Sequence, residues 1–209
     1  MIEAIVSDLG GVLTTPLLGS FQRFADHSGI GLDRLGTAMA AIAERDGENP
    51  LFPLERGELT EADFLGALGA ELDADMTGFA DHYWDGLDVN EEMVAWLGRA
   101  RDERGLRLAL LTNNVREWEP RWRAMMPVDE LFEVVVDSAF VGLRKPDPRI
   151  YELTLERLGL PASACAFVDD LEHNCEAAAE LGMHAVWFRD TAQAIAELDQ
   201  LSQPSRSQR

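Results

Sequence analysis

The chain is short of cations and of cysteine. Its 209 residues include 18 Lys+Arg against 38 Asp+Glu, a formal charge of −20, and Lys145 is the one lysine. So large a deficit argues against nucleic acid as a partner, because a phosphate backbone is bound by clustered cations. It disfavours an anionic membrane surface for the same reason. Two cysteines, Cys165 and Cys175, are too few for a disulfide framework and lack metal-ligand spacing, so they read as buried free thiols in a reducing compartment. No apolar run approaches the ~18 residues of a membrane span. Met1 leads directly into IEAIVSD without a basic start or a cleavable apolar stretch, so no secretion signal is expected and the cytoplasm is the expected location.

What is present is enough apolar material for a packed core, with 46% hydrophobic residues beside 27% charged ones. Five short apolar runs read as buried strands: 2–7, 106–111, 134–136, 164–168 and 185–188. Amphipathic segments lie between the later runs. Met93–Arg104 carries Val94, Leu97 and Ala100 on one face and stops at Gly105. Asp147-Pro148 supplies an N-cap and a first-turn proline for a helix ending at Gly159, and an alanine-rich helix covers Glu172–Leu181. Strands alternating with helices imply right-handed crossovers and a parallel sheet, which binds its ligands beyond the carboxyl ends of the strands.

Residues 16–92 break this alternation. Helical segments are expected near 20–29, 33–45, 60–72 and 76–86, with no strand, and Glu55–Glu92 holds 12 acids against one Arg. The fold class expected is therefore α/β: a Rossmann-like parallel sheet core over residues 1–15 and 93–201, with a helical cap inserted over 16–92 and a polar tail over 202–209. Trp118 and Trp122, four apart, read as one helix face packed on a neighbour; Phe52, Arg56 and Trp84 lie in the cap, where they could shape a substrate pocket but read first as core or rim.

Chemistry gathers at the strand ends. Asp8, Thr112-Asn113, Lys145 and Asp169-Asp170 occur there in order. Two adjacent carboxylates at the end of an apolar strand repel each other unless a cation joins them. A carboxylate, a divalent cation held by acids, a hydroxyl and an ammonium are together what phosphoryl transfer to an enzyme aspartate requires. The single lysine fits a site that needs a compact ammonium rather than a planar fork.

The segments SDLGGVL (7–13), LLTNN (110–114), RKPDPRIY (144–151) and FVDDLEHNCEAAAELGM (167–183) resemble the four motifs of the haloacid dehalogenase-like (HAD) superfamily, in order and spacing. FPLERGELTEADF (52–64) is similar to the helical cap of the branch that contains sugar-phosphate phosphatases and the phosphatase domain of soluble epoxide hydrolase. The resemblance implies a Mg²⁺-dependent phosphatase acting on a small phosphoester through an aspartyl-phosphate. Asp8 would be nucleophile and metal ligand, Gly10 would give its backbone carbonyl to the metal, and Asp170 would be the main distal metal carboxylate. Asp169 and Asn174 would act beside it, Thr112 and Asn113 would contact phosphate, and Lys145 would neutralise phosphate and steady Asp8.

One position departs from the family pattern. Family phosphatases usually carry a second Asp two residues after the nucleophile, as general acid and base, and here that position is Gly10. General acid–base catalysis is typically worth about 10²–10⁴-fold, so its loss hurts poor leaving groups most. Three readings follow: a phosphatase in which Asp169, a cap residue or water takes the role; a weakly active or non-catalytic phosphate-binding regulatory protein; or a metal-independent dehalogenase-type hydrolase, against which the Asp169-Asp170 pair counts.

Overall fold

The computed structural model describes residues 1–15, 17–85 and 87–203, so most of the 202–209 tail lies outside the described residues. In chain order the elements are β1 (Ala4–Ser7), α1 (Leu17–Ser28), α2 (Leu32–Asp46), α3 (Leu51–Glu55), α4 (Glu61–Leu72), α5 (Phe79–Trp84), α6 (Glu91–Arg104) and β2 (Arg107–Thr112). There follow α7 (Glu119–Met125), α8 (Val128–Leu131), β3 (Val134–Asp137), α9 (Ser138–Val141), α10 (Pro148–Leu158), β4 (Cys165–Asp169), α11 (Glu172–Glu180), β5 (His184–Trp187) and α12 (Thr191–Ser202).

The strands form one parallel sheet in the order β3-β2-β1-β4-β5. Ala4 of β1 is registered with Arg107 on one side and with Cys165 on the other, which makes β1 the central strand. Successive side chains of a strand face opposite ways. Ile5 therefore joins a cluster with Leu97, Leu110, Trp122 and Leu198, while Ala4 and Val6 join Ile150, Tyr151 and Phe167 on the other face. Burial on both faces is why the strands are short continuous apolar runs rather than alternating ones. The chain winds outward from β1 through β2 to β3, then returns to lay β4 against the other side of β1. That reversal opens a crevice at the carboxyl ends of β1 and β4.

Helices α1 to α5 pack around a core of their own, with Phe24, Ile42, Leu54, Phe64, Leu68 and Phe79 buried together. The α3 turn is absent from the sequence expectation, whose helices over this stretch begin at 60, because Pro50 and Pro53 mask a five-residue helix. Helix α5 starts at Phe79 rather than at 76 because its N-cap, Gly78, has φ of 80°. Thr60 caps α4 through Asp63 N, Asn90 caps α6 through Met93 N, and Asp147 caps α10 through Arg149 N.

Trp118 and Trp122 pack on the same cluster, but from two successive helical elements rather than one helix. Trp118 ends a 3₁₀ turn (Arg116–Trp118), and Trp122 in α7 is the largest fully buried side chain. The Trp122 indole N–H finds no acceptor among the described residues. Trp122→Ala is expected to cost about 3–5 kcal/mol through the cavity it leaves. Trp122→Phe should cost far less, since it also removes a donor whose unpaired burial costs about 1–3 kcal/mol. Urea titration of the two variants checks this, and equal losses would contradict it.

Asp137 caps α9 with one carboxylate oxygen, which accepts from Ala139 N at 3.0 Å, while its other oxygen is buried without a partner among the described residues. Burial pushes this carboxyl up to about 7, against the pull of the Ala139 bond. The folded state keeps the proton to about pH 7, whereas an unfolded chain releases it near the ordinary 3.8, so stability falls as pH rises between the two. In thermal melts from pH 5 to 8, Asp137→Asn should therefore gain on the wild type as pH rises. A constant difference across that range would contradict the assignment.

Candidate active site

Asp8 follows directly on β1, its backbone N–H extending the ladder to Val168 O at 2.9 Å. Its carboxylate Oδ1 accepts from the backbone N–H of Leu9 at 2.7 Å. Lys145 reaches across the strand ends, placing Nζ 2.8 Å from Asp8 Oδ1 and 2.6 Å from Asp169 Oδ2. The lysine side chain is 1% exposed, so this ion pair works in a low-dielectric setting.

Each partner in this bridge is held by others. Asp169 is fully buried, and Oδ1 accepts from Leu171 N at 2.9 Å and from Asn174 Nδ2 at 3.0 Å. Tyr151 donates its hydroxyl to the Asn174 carbonyl at 3.0 Å, anchoring that helix turn in turn. The Asn113 side chain clamps the lysine backbone: its Oδ1 accepts from Lys145 N at 2.8 Å, and its Nδ2 donates to Lys145 O at 3.0 Å. Asn113, expected at phosphate, thus spends its side chain on positioning Lys145. Thr112, buried at the end of β2, accepts from Asn114 Nδ2 at 3.5 Å.

Ligand atoms of Asp8, Asp169 and Asp170 lie within 4.8 Å of one another. One ammonium cannot balance three carboxylates. Burial first, then the Asp169 and Asp170 charges, raise the Asp8 carboxyl well above its ordinary range despite Lys145. Burial and Asp169 push Asp170 up to about 6. Burial works against charge on Lys145, yet Asp169 and Asp8 together hold its pKa above the ordinary lysine value. The cluster therefore carries surplus negative charge that a divalent cation would neutralise.

Two further observations fit a cation held by oxygen ligands. The Asn174 Oδ1 is buried with no donor among the described residues, so a cation-bound water could satisfy it. Gly11 has φ of +77°, and a Cβ there would lie 2.1 Å from Asp170 Oδ2. Glycine is thus needed at 11 for the carboxylate to rest against the loop after β1. Gly10, whose carbonyl is the expected metal ligand, lies in that same loop.

Beside the acids lies a cavity of about 150 Å³ between the sheet's carboxyl edge and the helical segment. Gly10, Thr112 and Asn113 line it from the sheet; Leu54, Phe64 and Tyr83 line it from the helices. Trp84 and Trp118 also line it, with ring centroids 5.6 Å apart; Trp84 thus takes the pocket role that is its alternative reading from sequence, and Trp118 has a place beyond packing. Phe52 instead lies under the Arg144 guanidinium, 4.0 Å from its ring centre, and Arg56 pairs with Glu48 and Glu58 near the surface.

The helices are docked on the sheet by contacts that the sequence did not announce. Glu55 accepts from Arg144 Nε at 2.6 Å, and Glu61 accepts from Trp118 Nε1 at 2.8 Å. Burial raises the Glu55 carboxyl against the pull of Arg144. Gly57, with φ of +69°, brings the turn after α3 so close to α9 that a Cβ would lie 2.2 Å from Ala139 O. Arg144 adjoins the singled-out Lys145, and Glu55 belongs to the LERGE segment, but no spacing rule pairs residues 89 apart.

A sequence model of haloacid dehalogenase-like hydrolases matches residues 2–182. Mouse acyl-CoA dehydrogenase family member 10 is 32% identical over 213 residues, which cover 95% of this chain and 19% of that much longer relative. A protein named as a phosphatase in Mycobacterium tuberculosis is 33% identical over 136 residues, 59% of this chain and 59% of its own. Among solved structures, a HAD family enzyme from Bacteroides thetaiotaomicron, in complex with magnesium and inorganic phosphate, has a TM-score of 0.68 at 22% identity, covering 89% of this chain and 93% of its own. The parallel sheet, the acids and lysine at its carboxyl edge and the family match over residues 2–182 agree: the chain belongs to the haloacid dehalogenase-like hydrolases.

Proposed function

We propose that this hydrolase is a magnesium-dependent phosphatase acting on a small phosphoester, with Asp8 as the nucleophile. The observation that carries the reading is the buried Asp8–Lys145–Asp169 bridge with Asp170 beside it. The mycobacterial phosphatase and the magnesium–phosphate complex described above are consistent with it. Helices α1 to α5 act as the cap over the site.

Magnesium held by Asp8, Asp170 and the Gly10 carbonyl, with Asp169 behind, would offset the repulsion between a carboxylate nucleophile and an anionic substrate. Lys145 directs Asp8, works with the cation against the rise in its pKa, and supplies positive charge to the non-bridging phosphate oxygens. Thr112 adds its hydroxyl, and backbone around Asn113 closes the phosphate pocket. An Asp8 oxygen attacks phosphorus and the bond from phosphorus to the leaving oxygen breaks, giving an aspartyl-phosphate and an alkoxide that takes a proton. Water then attacks the same phosphorus, the Asp8–phosphorus bond breaks, and inorganic phosphate leaves with Asp8 restored.

The proton for the leaving group is the weak point of this site. Gly10 has no side chain to donate it, and Asp169 is locked among Lys145, Leu171 and Asn174. Turnover should therefore fall steeply as the leaving alcohol becomes more basic.

The enzyme is expected to release phosphate from p-nitrophenyl phosphate only with Mg²⁺, and Asp8→Asn should reduce kcat by at least about 10³-fold, as for loss of a nucleophile. Activity surviving EDTA, or retained in Asp8→Asn, would contradict the proposal; phosphate binding without turnover would favour a regulatory role; and chloride release from 2-chloropropionate would favour a dehalogenase. Gly10→Asp should raise kcat for simple alkyl phosphates by roughly 10-fold or more while changing p-nitrophenyl phosphate turnover little. Equal effects on both substrates would show that proton supply is not what position 10 lacks.

A further inference from the structure

The cavity between cap and sheet has a wall chemistry that the catalytic bridge does not explain. Its cap side is built from Leu51, Leu54, Phe64 and Phe79, and Leu9 and Val115 face them from the sheet side. No Lys, Arg or His is among its lining residues as described, so no described side chain there answers a second anionic group on a substrate. Glu55, the one carboxylate among the described lining residues, is already paired with Arg144.

The remaining polar groups of the wall are largely committed to the protein. Asn113 bonds both ends of the Lys145 peptide unit, Asn114 Oδ1 accepts from Val115 N at 2.9 Å, and Trp118 Nε1 donates to Glu61. Thr14 donates to backbone carbonyls. The Trp84 indole N–H stands apart: it is buried without an acceptor among the described residues, on a side chain that lines the cavity. A sugar seated here would bury several hydroxyls against this wall, each costing about 1–3 kcal/mol when left unpaired. The volume, about 150 Å³, is close to that of an apolar protein cavity known to take up benzene.

Building on the phosphatase reading of Asp8, we infer that the group esterified to phosphate is compact, uncharged and apolar, an aryl or alkyl group of about six carbons, with room for one acceptor opposite Trp84, rather than a sugar, an amino acid or a carboxylic acid. Specificity then comes from the hydrophobic wall, and the hydroxyl-rich phosphoesters suggested by the family resemblance are rejected by lack of partners.

Binding tests this without depending on turnover. Straight-chain alkylphosphonates from methyl to hexyl, which cannot lose phosphate by hydrolysis, are titrated calorimetrically into the full chain with Mg²⁺. Affinity should rise about fourfold per methylene until the cavity is full, and a polyhydroxylated phosphonate of the same length should bind at least tenfold more weakly than hexylphosphonate. Leu51→Asn should weaken hexylphosphonate binding about tenfold. Flat affinity along the series, or equal binding of the polyhydroxylated analogue, would overturn the inference. Hydrolysis of p-nitrophenyl phosphate by the same sample separates the two proposals: turnover with a flat series rejects only the apolar site, and a rising series without turnover rejects only the phosphatase.

Discussion

The ammonium of Lys145 between Asp8 and Asp169 is the constraint on which the rest of the site depends. It links the carboxyl ends of two neighbouring strands, β1 and β4, where the sheet topology opens its crevice. Without that cation, three carboxylates within 4.8 Å would face one another in a buried setting. Its presence leaves a surplus of negative charge that is modest enough for one divalent ion to neutralise. A guanidinium would fill the same space poorly, since its fixed fork cannot act as a point charge shared by two single oxygens on different strands.

That demand propagates outward. Asn113 fixes the lysine backbone, Asn174 and Leu171 N fix Asp169, and Tyr151 fixes Asn174 from the sheet's packed face. Each layer satisfies polar atoms that burial would otherwise penalise. Four buried polar atoms stay unpaired among the described residues: two are structural, on Trp122 and Asp137, and two belong to residues at the site, the Asn174 oxygen beside the acids and the indole N–H of the cavity-lining Trp84. The charged half of the site and the apolar half meet at Gly10 and Thr112. There the absence of a side chain at position 10 joins the Asp8–Lys145 bridge to a wall whose described side chains have little means of moving a proton.

The parallel α/β core was legible because both faces of the sheet are covered, which makes each strand a short unbroken apolar run. Asp8, Thr112, Lys145 and Asp169-Asp170 stood out for the same reason: each is a polar residue where such a run stops. Trp118 and Trp122 show the limit of that logic. Their spacing suits one helix face, but Pro120 starts a new helix between them, sending one ring to the cavity and the other to the core. The short α3 was hidden by its own prolines, although it carries Glu55, whose pair with Arg144 ties these helices to the sheet.

The amino-acid sequence by itself determined the local matters: which runs become buried strands, where helices are capped, which acids and which single lysine lie at strand ends, and that position 10 has no carboxyl. These depend on residue type and near neighbours, within reach of a strand or a helical turn. Tertiary structure alone decided that Asn113 serves Lys145, that Asp169 is locked rather than free, and that Glu55 meets Arg144. It alone made the wall beside Asp8 apolar. Those outcomes depend on which distant side chains share a buried space, and there the cost of leaving a polar atom unpaired selects the partner.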